Sequence, residues 1–115
     1  DRLKIRCFGY FEVFWRDRHL VFERNQTKEL LAFLVDRRSI CTSGEICAAL
    51  WEDETDLKAA QPRIRNMIHD LKNTFSTVGM EDVLIRRRGL VGIQPELVDC
   101  DYLRFPAEEK IDRIQ

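Results

Sequence analysis

An apolar stripe between residues 64 and 75 constrains the fold of this 115-residue chain more than any other feature. Its members recur at i, i+3, i+4, i+7 and i+11, the spacing that places side chains on one face of an α-helix. They are Ile64, Met67, Ile68, Leu71 and Phe75. Pro62 has no N–H to donate, so it belongs in a first helical turn or at a kink, and Gly79 suits the position just after a helix end. The pattern predicts a helix over 61–77, with room for an irregular turn at 57–60.

Three short alternating runs and two shorter helical patterns come before this stripe. Within residues 1–23, apolar and polar side chains alternate with the period of half-buried strands, which predicts a small antiparallel sheet. A broad apolar face then predicts a buried helix over 26–37, with Asn25 as its cap. Thr42 and Glu45 have the spacing of a capping box, a hydroxyl three residues before a carboxylate, and predict a short second helix.

A β-hairpin with a cationic tip is predicted over 83–93. Two apolar runs, 83–85 and 90–93, flank a basic segment that contains one glycine. The segment is Arg86, Arg87, Arg88 and Gly89. Three adjacent cations repel one another unless solvent or an anion relieves the repulsion, so this segment is the sharpest single indication of an anionic partner.

The charge of the chain is unevenly distributed. Its formal net charge is −1, which excludes a uniformly basic nucleic-acid binder. Residues 58–93, however, carry seven basic and three acidic side chains, whereas residues 43–57 carry five acidic and no basic ones. Because salt screens charges beyond about 10 Å, a local basic surface can still attract phosphate.

The sequence lacks the usual signs of catalysis, metal binding or membrane insertion. The four cysteines form no C-x-x-C pair, and no nucleotide-binding or hydrolase motif is present. We therefore expect no enzymatic activity, no metal and no cofactor, and we interpret the cysteines as buried side chains in a reducing cytoplasm. No apolar run approaches the roughly 18 residues of a membrane span.

The order of these elements, together with three strings, resembles the OmpR/PhoB-type effector domain in its SARP-like variety. The strings are Thr27 to Leu34, Glu45 to Trp51, and the stripe as far as Lys72; Asp99 to Phe105 resembles the segment that follows in SARP-like proteins. The resemblance implies an α+β winged helix: an N-terminal antiparallel sheet (1–23), a three-helix helix-turn-helix core and a C-terminal hairpin wing. The domain would span 1–103, with 104–115 as a linker or the start of a further domain. The tyrosine common in the family's wing is missing from Arg88-Gly89-Leu90-Val91-Gly92.

The function implied by this resemblance is sequence-specific DNA binding by part of a bacterial transcriptional regulator. The helix over 61–77 would enter the major groove, and the wing over 83–93 would contact the backbone. The expected partners are double-stranded promoter DNA, RNA polymerase and an attached receiver or helical activator domain, as in two-component response regulators. We also expect a dimer on DNA, because one copy carries few cations near phosphates.

The resemblance assigns roles to three groups of side chains. Base contacts map onto Arg63, Asn66, His69, Asp70 and Asn73. Phosphate contacts map onto Arg65, Lys72, Arg86, Arg87 and Arg88. Contacts with RNA polymerase map onto Glu52, Asp53, Glu54 and Asp56, although a merely solubilising loop is equally compatible with these residues. Arginine and asparagine are the side chains that pair bidentately with guanine and adenine edges.

Two other functions remain open at the level of sequence. The first is a winged-helix module that binds protein rather than DNA, which the net charge, Asp70 and the missing wing tyrosine favour. The second is an enzyme or redox domain, which only the cysteines suggest. The aromatic residues of the N-terminal strands either pack in the core or dock a receiver domain or a second copy.

Overall fold

The protein is an α+β molecule, described by a computed structural model over residues 2–6, 11–51 and 56–100. Its strands are β1 (Leu3–Arg6), β2 (Glu12–Trp15), β3 (Arg18–Leu20), β4 (Cys41–Thr42), β5 (Leu84–Arg87), β6 (Leu90–Ile93) and β7 (Val98–Cys100). Its helices are α1 (Asn25–Arg37), α2 (Ser43–Leu50) and α3 (Leu57–Ser76), with short 3₁₀ turns at Glu81–Val83 and Pro95–Leu97. The predicted fold class and the order of its elements are confirmed at this level.

The N-terminal sheet has the strand order β3-β2-β1-β7. Strand β1 pairs antiparallel with β2, β2 pairs antiparallel with β3, and the predicted alternation holds because Leu3 and Ile5 are buried while Lys4 and Arg6 are exposed. Strand β7 adds in parallel to β1, with Ile5 opposite Cys100. The sequence did not predict β7, because three residues are too few for a periodic signal.

Helix α1 packs as predicted but begins differently. Four of its apolar side chains, Leu30, Leu31, Leu34 and Val35, are almost fully buried. Asn25 is the first helical residue rather than the cap; Arg24 occupies the cap position, and its side chain makes no capping hydrogen bond. The prediction for Asn25 is therefore wrong, and the N–H groups of Glu23 and Arg24, just before α1, donate to a carboxylate of another helix, as described below.

The start of α2 is the predicted capping box. The Thr42 hydroxyl oxygen accepts from the Glu45 N–H at 3.1 Å, and the Glu45 carboxylate accepts from the Thr42 N–H at 2.9 Å. Strand β4, directly before this helix, pairs antiparallel with β6. This pairing joins the start of α2 to the β5–β6 hairpin.

Helix α3 begins four residues earlier than predicted. Asp56 caps it, since its Oδ1 accepts from the Lys58 N–H at 3.0 Å, and the helix continues through Pro62. The proline removes one interior hydrogen bond, but Ala60 and the apolar stripe are buried on both sides of it. Gly79 follows the helix at a φ of +70°, as the pattern predicted. None of the helices in the described ranges combines the length and the apolar character needed to cross a bilayer.

Strands β5 and β6 form the predicted hairpin with a tighter turn. Arg87 pairs with Leu90, so only Arg88 and Gly89 form the turn, and the φ of +72° at Gly89 favours glycine. Arg86 and Arg87 belong to strand β5 rather than to the tip. The predicted cationic tip is thus a strand end with two arginines followed by a two-residue turn.

Three of the four cysteines are buried, in agreement with their interpretation as core side chains. Cys41, Cys47 and Cys100 expose 6% or less of their surface. Cys7 lies outside the described residues, as does the segment 101–115.

Candidate nucleic-acid interface

A groove of about 160 Å³ lies between α3 and the β5–β6 hairpin. We call it the hairpin groove, and its lining consists of Ser43, Gln61, Ile64, Arg65, Ile68 and Arg86. Arg65 of α3 and Arg86 of β5 therefore face the same concavity. Within the described part of the chain, no carboxylate lines this groove, and its two charged lining residues are arginines.

The fold explains why Arg65 and Arg86 meet. Ile64 and Ile68 are buried against the core, which leaves Arg65 at the border between the buried and exposed sides of α3. Arg86 is directly opposite Val91, which is buried, so Arg86 extends from the core-facing side of the hairpin. The side chain of Arg87 points to the opposite face because successive side chains of a strand alternate.

The three arginines predicted to act together at the hairpin are consequently divided. Arg86 lines the hairpin groove, Arg87 lies on the reverse face, and Arg88 is exposed in the turn. Sequence alone could not assign these directions, because the position of the turn sets which residues of a hairpin share a face.

The exposed side of α3 carries most of the predicted site. Arg65, Asn66, His69, Lys72 and Asn73 are all exposed. Their side chains are therefore accessible to a ligand laid along the helix.

Lys58 extends this surface and was missed at the sequence level. It is exposed, and it precedes Arg65 and Lys72 at intervals of seven residues. Seven residues are about two helical turns, or about 10 Å, so the three cations form a row along one side of α3. The i, i+7 spacing was visible in the sequence, but a helix starting at 61 excluded Lys58 from it.

Arg63 lies on a different side of α3 from Arg65. Residues two apart in a helix point about 160° away from each other. The guanidinium carbon of Arg63 lies 5.3 Å from the centroid of the Trp51 ring, at the end of α2. A cation stacked on an aromatic face in this way is held in orientation.

Asp70 does not belong to the exposed surface, so its assignment as a base contact is wrong. Only 5% of its surface is exposed. Its Oδ2 accepts from the Thr27 hydroxyl at 2.6 Å and from the Arg24 N–H at 3.1 Å, and its Oδ1 accepts from the Glu23 N–H at 3.2 Å. The carboxylate thus accepts from the two backbone N–H groups that lead into α1 and from a side chain of its first turn. Sequence periodicity placed Asp70 at the edge of the apolar stripe. At such an edge, periodicity cannot distinguish a buried polar side chain from an exposed one.

A second groove, of about 380 Å³, lies on the other side of α3, between the helix and β3. We call it the sheet groove; it is lined by Arg18, His19, Leu20, Val21, Glu23, Asp70, Asn73, Thr74 and Thr77. Two carboxylates and one arginine contribute to this lining. Asn73, predicted to contact a base, lies on this side of the helix.

The acidic loop is described only at its end. Glu52, Asp53 and Glu54 lie outside the described residues. Asp56 is described, and its carboxylate caps α3. That bond places a negative charge at the positive end of the helix dipole, a stabilising position.

The start of α2, next to the hairpin groove, has its own ion pair. Arg37 donates from Nη2 to Oε2 of Glu45 at 2.6 Å. The pKa of Glu45 is lowered, chiefly because the Thr42 N–H donates to the carboxylate and further because of the Thr42 hydroxyl and Arg37. Burial raises the pKa of the neighbouring Cys41 thiol. Glu45 is therefore paired within the protein and subtracts little from the cationic character of the hairpin groove.

Comparison with known proteins gives no further indication: no family model matches the chain, and no curated protein is significantly similar to it. Among the described residues, no three His, Cys, Asp or Glu side chains come together as metal ligands would. The interface is therefore interpreted from its own geometry.

Proposed function

We propose that this chain is a winged helix-turn-helix domain that binds DNA sequence-specifically, with α3 in the major groove and the β5–β6 hairpin on the backbone. The observation that carries the proposal is the convergence of Arg65 and Arg86, from two separate elements, on the hairpin groove. Two cations held together without a lining carboxylate attract an anion, and a phosphate of the DNA backbone suits this position.

On the exposed side of α3, one set of side chains would contact phosphates and another would contact bases. The row formed by Lys58, Arg65 and Lys72 follows the side of the hairpin and would track one strand of the backbone. Beside this row, Asn66 and His69 are exposed and would face base edges, since asparagine pairs bidentately with adenine. Arg63 would enter from the side of α2, oriented by Trp51, and Asn73 from the side of the sheet.

The burial of Asp70 removes one reason to doubt DNA binding. An exposed carboxylate in the middle of a DNA-reading helix would oppose the phosphates, which favoured a protein-interaction module. In the folded chain this carboxylate is buried and accepts hydrogen bonds from the start of α1. The face offered to DNA therefore carries cations and amides rather than an acid.

The biological setting of this domain is part of the same proposal. We infer a bacterial transcriptional regulator acting in the cytoplasm without enzymatic activity of its own. Two copies on repeated half-sites would compensate for the few cations of each copy, and an attached receiver or activator domain would raise the effective concentration. Glu52, Asp53 and Glu54 remain the candidates for contact with RNA polymerase, whereas the carboxylate of Asp56 is engaged in capping α3.

The proposal is tested by binding the whole chain to a pool of random duplexes at several salt concentrations. We expect enrichment of a subset of sequences at low salt, with log affinity falling against log salt at a slope of about −4 to −5. That slope corresponds to about 0.9 per neutralised phosphate for Lys58, Arg65, Lys72, Arg86 and Arg88. The double variant Arg65→Gln/Arg86→Gln should bind all duplexes more weakly and reduce the slope by about 2.

Lys4→Gln/Arg6→Gln provides the matched control, because it removes two exposed cations from β1 of the N-terminal sheet rather than from the hairpin groove. It should leave both affinity and slope close to those of the natural chain. Failure to enrich any duplex at low salt would contradict DNA binding and favour the protein-interaction module. Equal losses in the double variant and the control would show that only net charge matters.

A further inference from the structure

We infer that Asp70 is a positioning residue: it fixes the rotation of α3 relative to the N-terminal sheet and thereby the direction in which Asn66 and Asn73 point. This inference rests on the proposed function for its consequence, DNA reading, but not for its structural content. It follows from the hydrogen bonds of a single buried carboxylate.

Burial of the Asp70 carboxylate has an energetic cost. A buried carboxylate is tolerated only where hydrogen bonds or charges replace its water. In the described part of the chain no cation pairs with Asp70, and its hydrogen bonds come from two backbone N–H groups and from the hydroxyls of Thr27 and, at 3.5 Å, Thr74. The carboxylate therefore depends on the start of α1, and three of its four donors lie there.

The hydrogen bonds of the Asp70 carboxylate have a specific geometry. Oδ1 accepts from the N–H of Glu23 and Oδ2 from the N–H of Arg24, so both oxygens of one carboxylate bind successive backbone groups. Such a two-point contact fixes the plane of the carboxylate as well as its position. Because the start of α1 has no side-chain cap of its own, the two helices are joined reciprocally at this point.

Apolar packing sets which face of α3 is buried, and Asp70 lies at the edge of that face. Phe22 packs edge-on against Phe75, with ring centroids 6.2 Å apart, and this contact holds α3 to the segment before α1. Beyond it the sheet groove, about 380 Å³, separates β3 from the C-terminal half of α3. To this packing the carboxylate of Asp70 adds hydrogen bonds to residues 23, 24 and 27, which are directional and fix the rotation of α3 more narrowly.

Asp70 lies close, along α3, to side chains that are proposed to contact bases. Asn66 is four residues before Asp70 and Asn73 three residues after it, so both lie one turn away on the same side of α3. Arg65 and Lys72 lie on the side of the hairpin. A rotation of α3 moves all four side chains, but a bidentate contact with a base depends on direction, whereas the attraction between a cation and a phosphate tolerates small displacements. A change at Asp70 should therefore disturb the discrimination between bases more than the number of phosphates neutralised.

The test compares the natural chain with Asp70→Asn, whose amide nitrogen cannot accept a hydrogen bond. Residual dipolar couplings measured by NMR without DNA should show a changed orientation of α3 relative to β1 and β2, together with loss of amide-exchange protection at Glu23 and Arg24. In duplex selection, the ratio between preferred and random sequences should fall about tenfold, as for one lost bidentate contact, with the salt slope unchanged. If Asp70 only stabilised the fold, Asp70→Asn would not lower the discrimination between sequences while leaving the salt slope unchanged.

A second pair of variants guards against misfolding of Asp70→Asn. Thr27→Val removes the shortest hydrogen bond to the carboxylate while preserving side-chain shape, and Thr27→Ser retains the hydroxyl. We expect Thr27→Val to reproduce the changed orientation and Thr27→Ser to restore it. An unchanged orientation of α3 in both Asp70→Asn and Thr27→Val would overturn the inference. If instead the natural chain selects no duplex, the proposed function fails, while the couplings still decide the positioning role.

Discussion

The two sides of α3 both carry polar side chains, but those on one side face an open groove and those on the other include a carboxylate that is hydrogen-bonded within the protein. On the side of the hairpin, Arg65 and Arg86 face a groove whose described lining contains no carboxylate. On the side of the sheet, Asp70 is buried and accepts hydrogen bonds from the start of α1. Polar residues that engage one another stabilise the fold, and those without a partner remain available to a ligand. The comparison shows that the partner of a polar residue, rather than its type, decides whether it belongs to the site.

The largest expected effect comes from removing the Asp70 carboxylate on the side of the sheet. Asp70→Ala leaves the Thr27 hydroxyl and two backbone N–H groups without their acceptor, and we expect a loss of about 3 kcal/mol in the free energy of unfolding. Urea denaturation measures this loss. Asn73→Ala removes an exposed amide one turn away on the same side and should change stability by no more than about 0.5 kcal/mol. Equal effects of the two substitutions would show that the hydrogen bonds of Asp70 add no more stability than an exposed polar side chain on the same side.

The next effect concerns the support of the hairpin. A Cβ on Gly92 would lie 3.0 Å from the Ile40 Cα and 3.1 Å from the Ser39 carbonyl oxygen, and neither backbone atom moves easily. We expect Gly92→Ala to destabilise the protein by about 2 kcal/mol and to weaken DNA binding, because Arg86 moves with its strand. At Gly44 the nearest atom, Thr42 Oγ1, would be 3.8 Å away, so Gly44→Ala is the tolerated control. Thermal unfolding of both variants checks this difference.

A smaller effect tests the two faces of the hairpin itself. Arg86→Gln should lower DNA affinity about fivefold, near 1 kcal/mol, and reduce the salt slope by about 1. Arg87→Gln removes the same charge from the reverse face and should cost less. Gel shifts at several salt concentrations measure both values. If Arg87→Gln weakens binding as much as Arg86→Gln, the hairpin contacts DNA through its end rather than through the groove.

The smallest effect concerns the pH dependence of Glu45 at the start of α2. Its pKa is lowered in the folded protein by the Thr42 N–H, the Thr42 hydroxyl and Arg37, so its contribution is present above the ordinary carboxyl pKa and disappears as pH falls through the folded value. The stability difference between the natural chain and Glu45→Gln should therefore be present at neutral pH and vanish in acid. Urea midpoints across this range measure it, with the exposed Glu29→Gln on α1 as control. A difference that persists in acid would assign the effect to packing.

Much of the fold could be predicted, because it depends on local signals. The apolar stripe of α3, the Thr42–Glu45 capping box and the alternation in β1 are periodic or short-range patterns. The errors occurred where long-range contacts decide. The segment that leads into α1 donates its hydrogen bonds to Asp70, more than forty residues away, and β7 is a strand because it pairs with β1.

The candidate site was predicted in composition but not in arrangement. The resemblance assigned phosphate contacts to Arg65, Lys72 and Arg86, and all three side chains are exposed. Lys58 was missed because the predicted helix began too late, and Asp70 was included because helical spacing cannot measure burial. The division of Arg86 from Arg87 became known only with the position of the turn.

By itself, the sequence determined the three helices, the hairpin and the strands with a periodic pattern, and where positive charge accumulates, because these properties follow from the order of neighbouring residues. Only the tertiary structure decided that Arg86 joins Arg65 across the hairpin groove and that Asp70 turns inward to the start of α1. The physical reason is that a side chain's availability to a ligand depends on the groups packed around it, and the fold brings those groups from distant parts of the chain.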